Sequence, residues 1–151
     1  MESTQQPKGQ NYRAIPLQQG RSERLPARLL LVLEAYLSLI RFDLYLAGGN
    51  FESLYNKVRN YPTRKKPASL DSVVAICAAV NMACIWYFKE ALCLQRSAVT
   101  ACLLRKYGVS GYLVIGAQQM PFKAHAWVEV DGKVVNDKQY VPGMYGTLTQ
   151  C

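Results

Sequence analysis

Histidine is almost missing from this chain: one residue in 151, His125. The five cysteines include no C-x-x-C pair, so the sequence lacks a recognisable set of zinc ligands, and neither a metal nor a cofactor is expected. Acids are scarce, ten against eighteen Lys and Arg, which leaves a net charge of +8. No run interleaves basic residues with stacking aromatics in a nucleic-acid motif, so nucleic acid is not an expected partner. No N-terminal stretch reads as a signal or transit peptide. With an odd cysteine count, this predicts reduced thiols and a cytoplasmic protein. Uninterrupted apolar length falls short of the roughly 20 residues needed to span a membrane. Glu34, Arg41 and Asp43 break up the most apolar stretch. There is no internal repeat and no low-complexity tract.

What is present suffices for one domain with a real core, since 50% of residues are hydrophobic. Charge is uneven. Residues 1–67 hold eleven basic and five acidic side chains, residues 68–151 seven and five. Such a basic front suits an acidic peptide, a membrane surface or nucleic acid in principle. Residues 1–26 are polar and aperiodic and read as a flexible tail. Residues 27–151 form the domain, with 27–67 its N-terminal helical part. A long helix is predicted over 27–47, ended by Gly48-Gly49, and is read as buried or partner-facing. A short one over 51–61 has Phe51, Leu54, Tyr55 and Val58 on one side. Residues 62–67 are a basic linker. A third helix runs from Ser69, its cap, to about Phe88, with a stripe of Val73, Ile76, Cys77, Val80, Cys84, Ile85 and Phe88. Residues 112–117 read as a central strand, 118–123 as a loop bordering a cleft, and 147–149 as a final short strand.

The chemistry concentrates in residues 93–137. A helix is predicted over 93–108, with Ala98, Ala101, Cys102, Leu103 and Leu104 inside and Arg96, Arg105 and Lys106 outside. Cys93 would then sit at the positive end of the helix dipole, which favours thiolate and lowers the thiol's pKa. A hairpin follows around Asp131-Gly132, with His125 on one strand and Asp137 on the other. Its parity matters. A two-residue loop pairs residue 126 with 137 and puts His125 and Asp137 on opposite faces. A three-residue loop, Val130-Asp131-Gly132, pairs His125 with Asp137. Catalysis therefore predicts the three-residue loop. A thiol, an imidazole and a carboxylate are the parts of a cysteine nucleophile with an oriented base. Each also has a plainer reading: a buried thiol, a structural histidine, an acid ending a strand. Asp131 reads as the turn residue and Trp127 as packing beside the site, where it is also a candidate substrate contact.

The order of a cysteine-led helix, Cys93-Leu94 to LLRKYG, then LVIG at 113–116, then PFKAHAWVEVDGKVVND at 121–137, resembles the leader peptidases of lasso-peptide biosynthesis. These are transglutaminase-like cysteine proteases. The likeness spans about residues 27–140 in element order, and the polar N-terminus departs from it. It implies an α+β, papain-like or transglutaminase-like fold: N-terminal helices plus a small antiparallel sheet. It further implies that Cys93 is the nucleophile, His125 the base and Asp137 its orienting acid. The backbone N–H of Cys93 is a natural oxyanion donor, and Trp86 or Tyr87 are candidates for a second. Expected partners are a precursor leader peptide, a separate leader-recognition protein, and the macrolactam cyclase, which uses ATP. Two other functions stay open: a transglutaminase-like acyltransferase, and a non-catalytic peptide-binding subunit of a maturation complex. The peptidase reading fails if the three side chains lie in separate neighbourhoods.

Overall fold

The computed structural model describes residues 25–65 and 70–151. The polar tail up to residue 24, the end of the basic linker and the Ser69 cap lie outside them. The N-terminal part is helical. Helix α1 (Leu25–Ala47) buries Ala35, Leu39 and Phe42 at helical spacing, while Leu29, Leu30, Leu33, Leu37 and Leu44 are exposed. It is therefore buried along one stripe only. Its acids are engaged: Glu34 accepts from Lys106 Nζ and Tyr107 Oη, and Asp43 pairs with Lys89 at 2.6 Å. Among the described residues no helix is long and apolar enough to cross a membrane.

Helix α2 (Phe51–Arg59) starts at Asn50, whose Oδ1 accepts from Ser53 N–H at 3.0 Å. It buries Leu54 and Val58 but leaves Phe51 exposed, stacked on Tyr55. Helix α3 (Leu70–Trp86) stops two residues short of the expected end. Val73, Ile76 and Val80 are buried as the stripe predicts. Ala79 and Ala83 complete it; Ile85, in the last turn of the helix, is exposed against expectation, and Phe88 lies beyond the helix end at Trp86, where the helical period no longer applies.

Helix α4 (Cys93–Lys106) is the axis of the fold. It packs on α1 and α3 and on the sheet. Surrounded in this way, it is buried on nearly every side: Gln95, Ser97, Ala98, Val99, Thr100, Ala101 and Leu104 are fully enclosed. Arg105, expected outside, is only 6% exposed. Its Nε donates to Gly111 O at 2.8 Å and its Nη1 to Val58 O. The guanidinium thus satisfies carbonyls at the turn after α4 and near the end of α2, which a hydrated lysine would do poorly.

Four antiparallel strands follow: β1 (Tyr112–Gln118), β2 (Lys123–Val130), β3 (Lys133–Val134) and, after the short helix α5 (Val141–Met144), β4 (Gly146–Gln150). Their order is β3-β2-β1-β4, with β1 interior as expected. Alternation along β2 sends Ala126 and Val128 into the helical core. It sends Trp127 to the other face, with Val114, Val134 and Val141. Gly116 makes room for that ring: a Cβ there would stand 2.8 Å from Trp127.

The hairpin turn corrects the sequence reading. Val130 pairs with Lys133, so the loop is the two residues Asp131 and Gly132. Their φ angles of 50° and 72° are both left-handed, the type I′ geometry that matches strand twist. Aspartate and glycine tolerate that region, and the three-residue loop is not formed.

Candidate active site

A two-residue turn would carry Asp137 away from His125 if the ladder ran on, but it does not. Strand β3 ends at Val134. Val135 N–H still donates to Val128 O at 2.9 Å. The return bond, from Val128 N–H, goes instead to the side-chain Oδ1 of Asn136 at 2.7 Å. A side-chain oxygen has replaced a main-chain carbonyl, and the chain leaves the ladder there. Asn136 Nδ2 then donates to Ser97 Oγ at 2.9 Å, and Ser97 Oγ donates to Ala126 O at 2.9 Å. All three residues are buried. Released from strand parity, Asp137 folds onto His125: Oδ2 lies 2.8 Å from Nε2. The pairing was expected; the route was not.

The direction of α4 sets what stands next to this pair. Arg105, near the end of α4, bonds Gly111 O just before Tyr112, which pairs with Glu129 near the end of β2, so α4 and β2 run the same way. Ser97 meets Ala126. The first turn of α4 therefore lies at the end of β2 that carries His125. Cys93, one turn before Ser97 and about 6 Å back along the axis, is half-buried and in no disulfide. No hydrogen bond joins its Sγ to His125 or Asp137. The structure thus brings the imidazole and the carboxylate into contact, and sets Cys93 at the head of the adjoining helix.

His125 Nδ1 has no hydrogen-bond partner among the described residues. Its ring stands 5.3 Å from Tyr145 and 6.4 Å from Trp127, centroid to centroid. Trp127 is fully buried, with its indole N–H donating to Glu129 Oε1 at 2.8 Å, which fits a packing role. Burial pushes the Asp137 carboxyl up. Hydrogen bonds from His125 and the Lys138 backbone N–H, with the charges of Arg96 and His125, outweigh it and leave it below the ordinary aspartate value. The other four thiols move the opposite way. Burial pushes Cys77 up to about 11 and Cys102 to about 12, and raises Cys84 and Cys151. Burial disfavours the thiolate at all four of these positions.

Trp86, at the end of α3, is 73% exposed. Tyr87 is buried, and its backbone N–H is already given to Cys84 O at 3.3 Å. Its hydroxyl lacks a well-formed hydrogen bond, though Gln95 and Asp43 lie near it. Neither residue contacts His125 or Asp137 through a hydrogen bond or ring pair. The residues that sequence reasoning passed over are Arg96, Ser97 and Asn136. A signal existed for Asn136, a poor strand former placed inside a strand pattern. A hollow of about 240 Å³, lined in part by Arg41, Tyr45, Lys57 and Lys106, opens at the far end of α4 and contains none of the candidate residues. Among the described residues no group of three or more His, Cys, Asp or Glu could hold a metal ion.

Residues 36–150 match the Transglutaminase-like superfamily. Over 45 residues the chain is 42% identical to the Microcin J25-processing protein McjB of Escherichia coli, covering 30% of this chain and 22% of that protein. The chain thus spans about a fifth of the length of that relative. No solved structure matches.

Proposed function

Because this chain belongs to the transglutaminase-like superfamily, we propose that it is a cysteine peptidase that removes the leader from a ribosomally made lasso-peptide precursor. One observation carries the reading: a histidine with one ring nitrogen bound to a carboxylate and the other unbound, beside the head of a cysteine-led helix. The partial likeness to a protein named for processing microcin J25 supports the substrate class. In the proposed mechanism, Cys93 Sγ gives its proton to His125 Nδ1 and attacks the carbonyl carbon at the leader–core junction. The imidazolium hands that proton to the leaving amine as the C–N bond breaks. Asp137 fixes the ring and balances its charge. The N–H of Cys93, unused within the first turn of a helix, faces the developing oxyanion. Water then hydrolyses the thioester and regenerates the thiol.

The expected partners follow from this: the precursor, a separate leader-recognition protein, and the macrolactam cyclase downstream. The test is to mix the protein with its co-encoded precursor and recognition protein and to weigh the products. Free core peptide is expected. An amide adduct with an added amine would mean acyl transfer instead. A Cys93→Ala variant that keeps full turnover would remove the peptidase reading.

A further inference from the structure

We propose that Arg96 is the positioning residue of this site, holding Asp137 against His125 and placing a fixed positive charge at the Cys93 end of α4. The proposal rests on the peptidase reading above. Arg96 Nη2 stands 3.2 Å from Asp137 Oδ2, the same oxygen that meets His125 Nε2 at 2.8 Å. The other oxygen, Oδ1, accepts from Lys138 N–H at 2.8 Å. The carboxylate is therefore gripped from three directions: from β2, from α4, and by its own following peptide. It cannot rotate without breaking one of these bonds.

Arg96 itself is built for this single contact. Its side chain is 30% exposed, and its Nε is buried with no partner. The Asp137 contact is thus what orients the guanidinium. Arg96 is also the only charged side chain in the first eleven residues of α4, three residues after the cysteine. Its charge acts on Cys84 of α3 and on Asp137 after β3; His125 of β2 shares the same carboxylate oxygen, with Tyr145 beside the imidazole, and Cys93 lies three residues earlier on α4. The Lys138 ammonium lies over the Tyr140 ring at 5.5 Å and also feels the Asp137 charge.

A fixed cation at this point makes a distinctive signature. In a thiol–imidazole site both limbs of the pH–rate bell report loss of a proton. A nearby positive charge eases each loss, so removing it moves both limbs to higher pH together. A merely structural contact would lower the height of the bell and leave its position alone.

The experiment is the pH–rate profile for cleavage of a fluorogenic peptide spanning the leader–core junction, with the recognition protein present. Arg96→Met is expected to lose about 10- to 100-fold in kcat with little change in KM. Its bell should move up by roughly half a pH unit to one unit. Arg96→Lys keeps the charge without the planar fork, and should restore the position of the bell but only part of the rate. Arg96→Gln should behave as Met does, so the comparison survives if the Met variant does not fold. A bell that stays put in both neutral variants overturns the role of Arg96 while leaving the peptidase reading intact. Full activity of Cys93→Ala, measured alongside, would overturn that reading whatever Arg96 does.

Discussion

Replacing Asn136 with alanine probes the device that sets this site. Asn136 is 8% exposed and makes two buried bonds: it accepts from Val128 N–H at 2.7 Å and donates to Ser97 Oγ at 2.9 Å. Without it, Val128 N–H is left without its acceptor, at a cost of about 1–3 kcal/mol, and the Ser97 bond adds about 1 kcal/mol. A total near 3 kcal/mol lowers the melting temperature of a chain this size by roughly 6–12 °C. The chain has one way to recover: Val128 N–H can turn to the Val135 carbonyl and extend the ladder. Parity then carries Asp137 opposite Ala126, on the face away from His125. The second outcome separates imidazole from carboxylate, so cleavage should fall by at least tenfold in the folded fraction that re-registers. Thermal melting by circular dichroism and peptide cleavage on the same samples make the assay. A melting temperature within about 2 °C of wild type, with full activity, would refute the claim that this side chain diverts the strand.

Other consequences are open to measurement. Gly132→Val places a β-branched residue at φ 72° and should cost about 1–2 kcal/mol in a urea titration, whereas Asp131→Gly should be close to neutral. Gly116→Ala puts a Cβ 2.8 Å from the Trp127 ring and 3.0 Å from Gly146 O, so a loss of about 1–3 kcal/mol is expected, with a change in tryptophan fluorescence. The depressed Asp137 carboxyl adds stability that is fully present above its unfolded value, about 3.9, and is lost as pH falls through its lower folded value. Denaturation midpoints compared at pH 7, 4 and 3 should therefore fall less steeply below pH 4 in Asp137→Asn than in wild type. Brief alkylation at pH 7, read by peptide mass mapping, should modify Cys93 and spare Cys77 and Cys102, whose thiols sit at about 11 and about 12; rapid labelling of Cys102 in the folded protein would contradict its burial.

Local pattern carried much of this protein into view. The period of apolar residues marked four helices, because burial along one face leaves a repeat that needs no partner to be read, and an unbroken apolar run marked the central strand. Asp131-Gly132 marked the hairpin, since few other pairs tolerate two left-handed residues in succession. The thiol, imidazole and acid were legible as residue types in order. So was the pairing of imidazole with acid, but not the route to it. The parity rule assumed a ladder that continues to Asp137, and the continuation is decided by Asn136 and Ser97, which lie 39 residues apart in the chain. Arg105 read as a surface cation until the Val58 and Gly111 carbonyls stood beside it. Arg96 gained its partner only when α4 came to rest against the end of β2. Sequence periodicity records which side of an element is dry. Which polar groups meet there depends on contacts between distant residues, and those exist only once the chain has closed on itself.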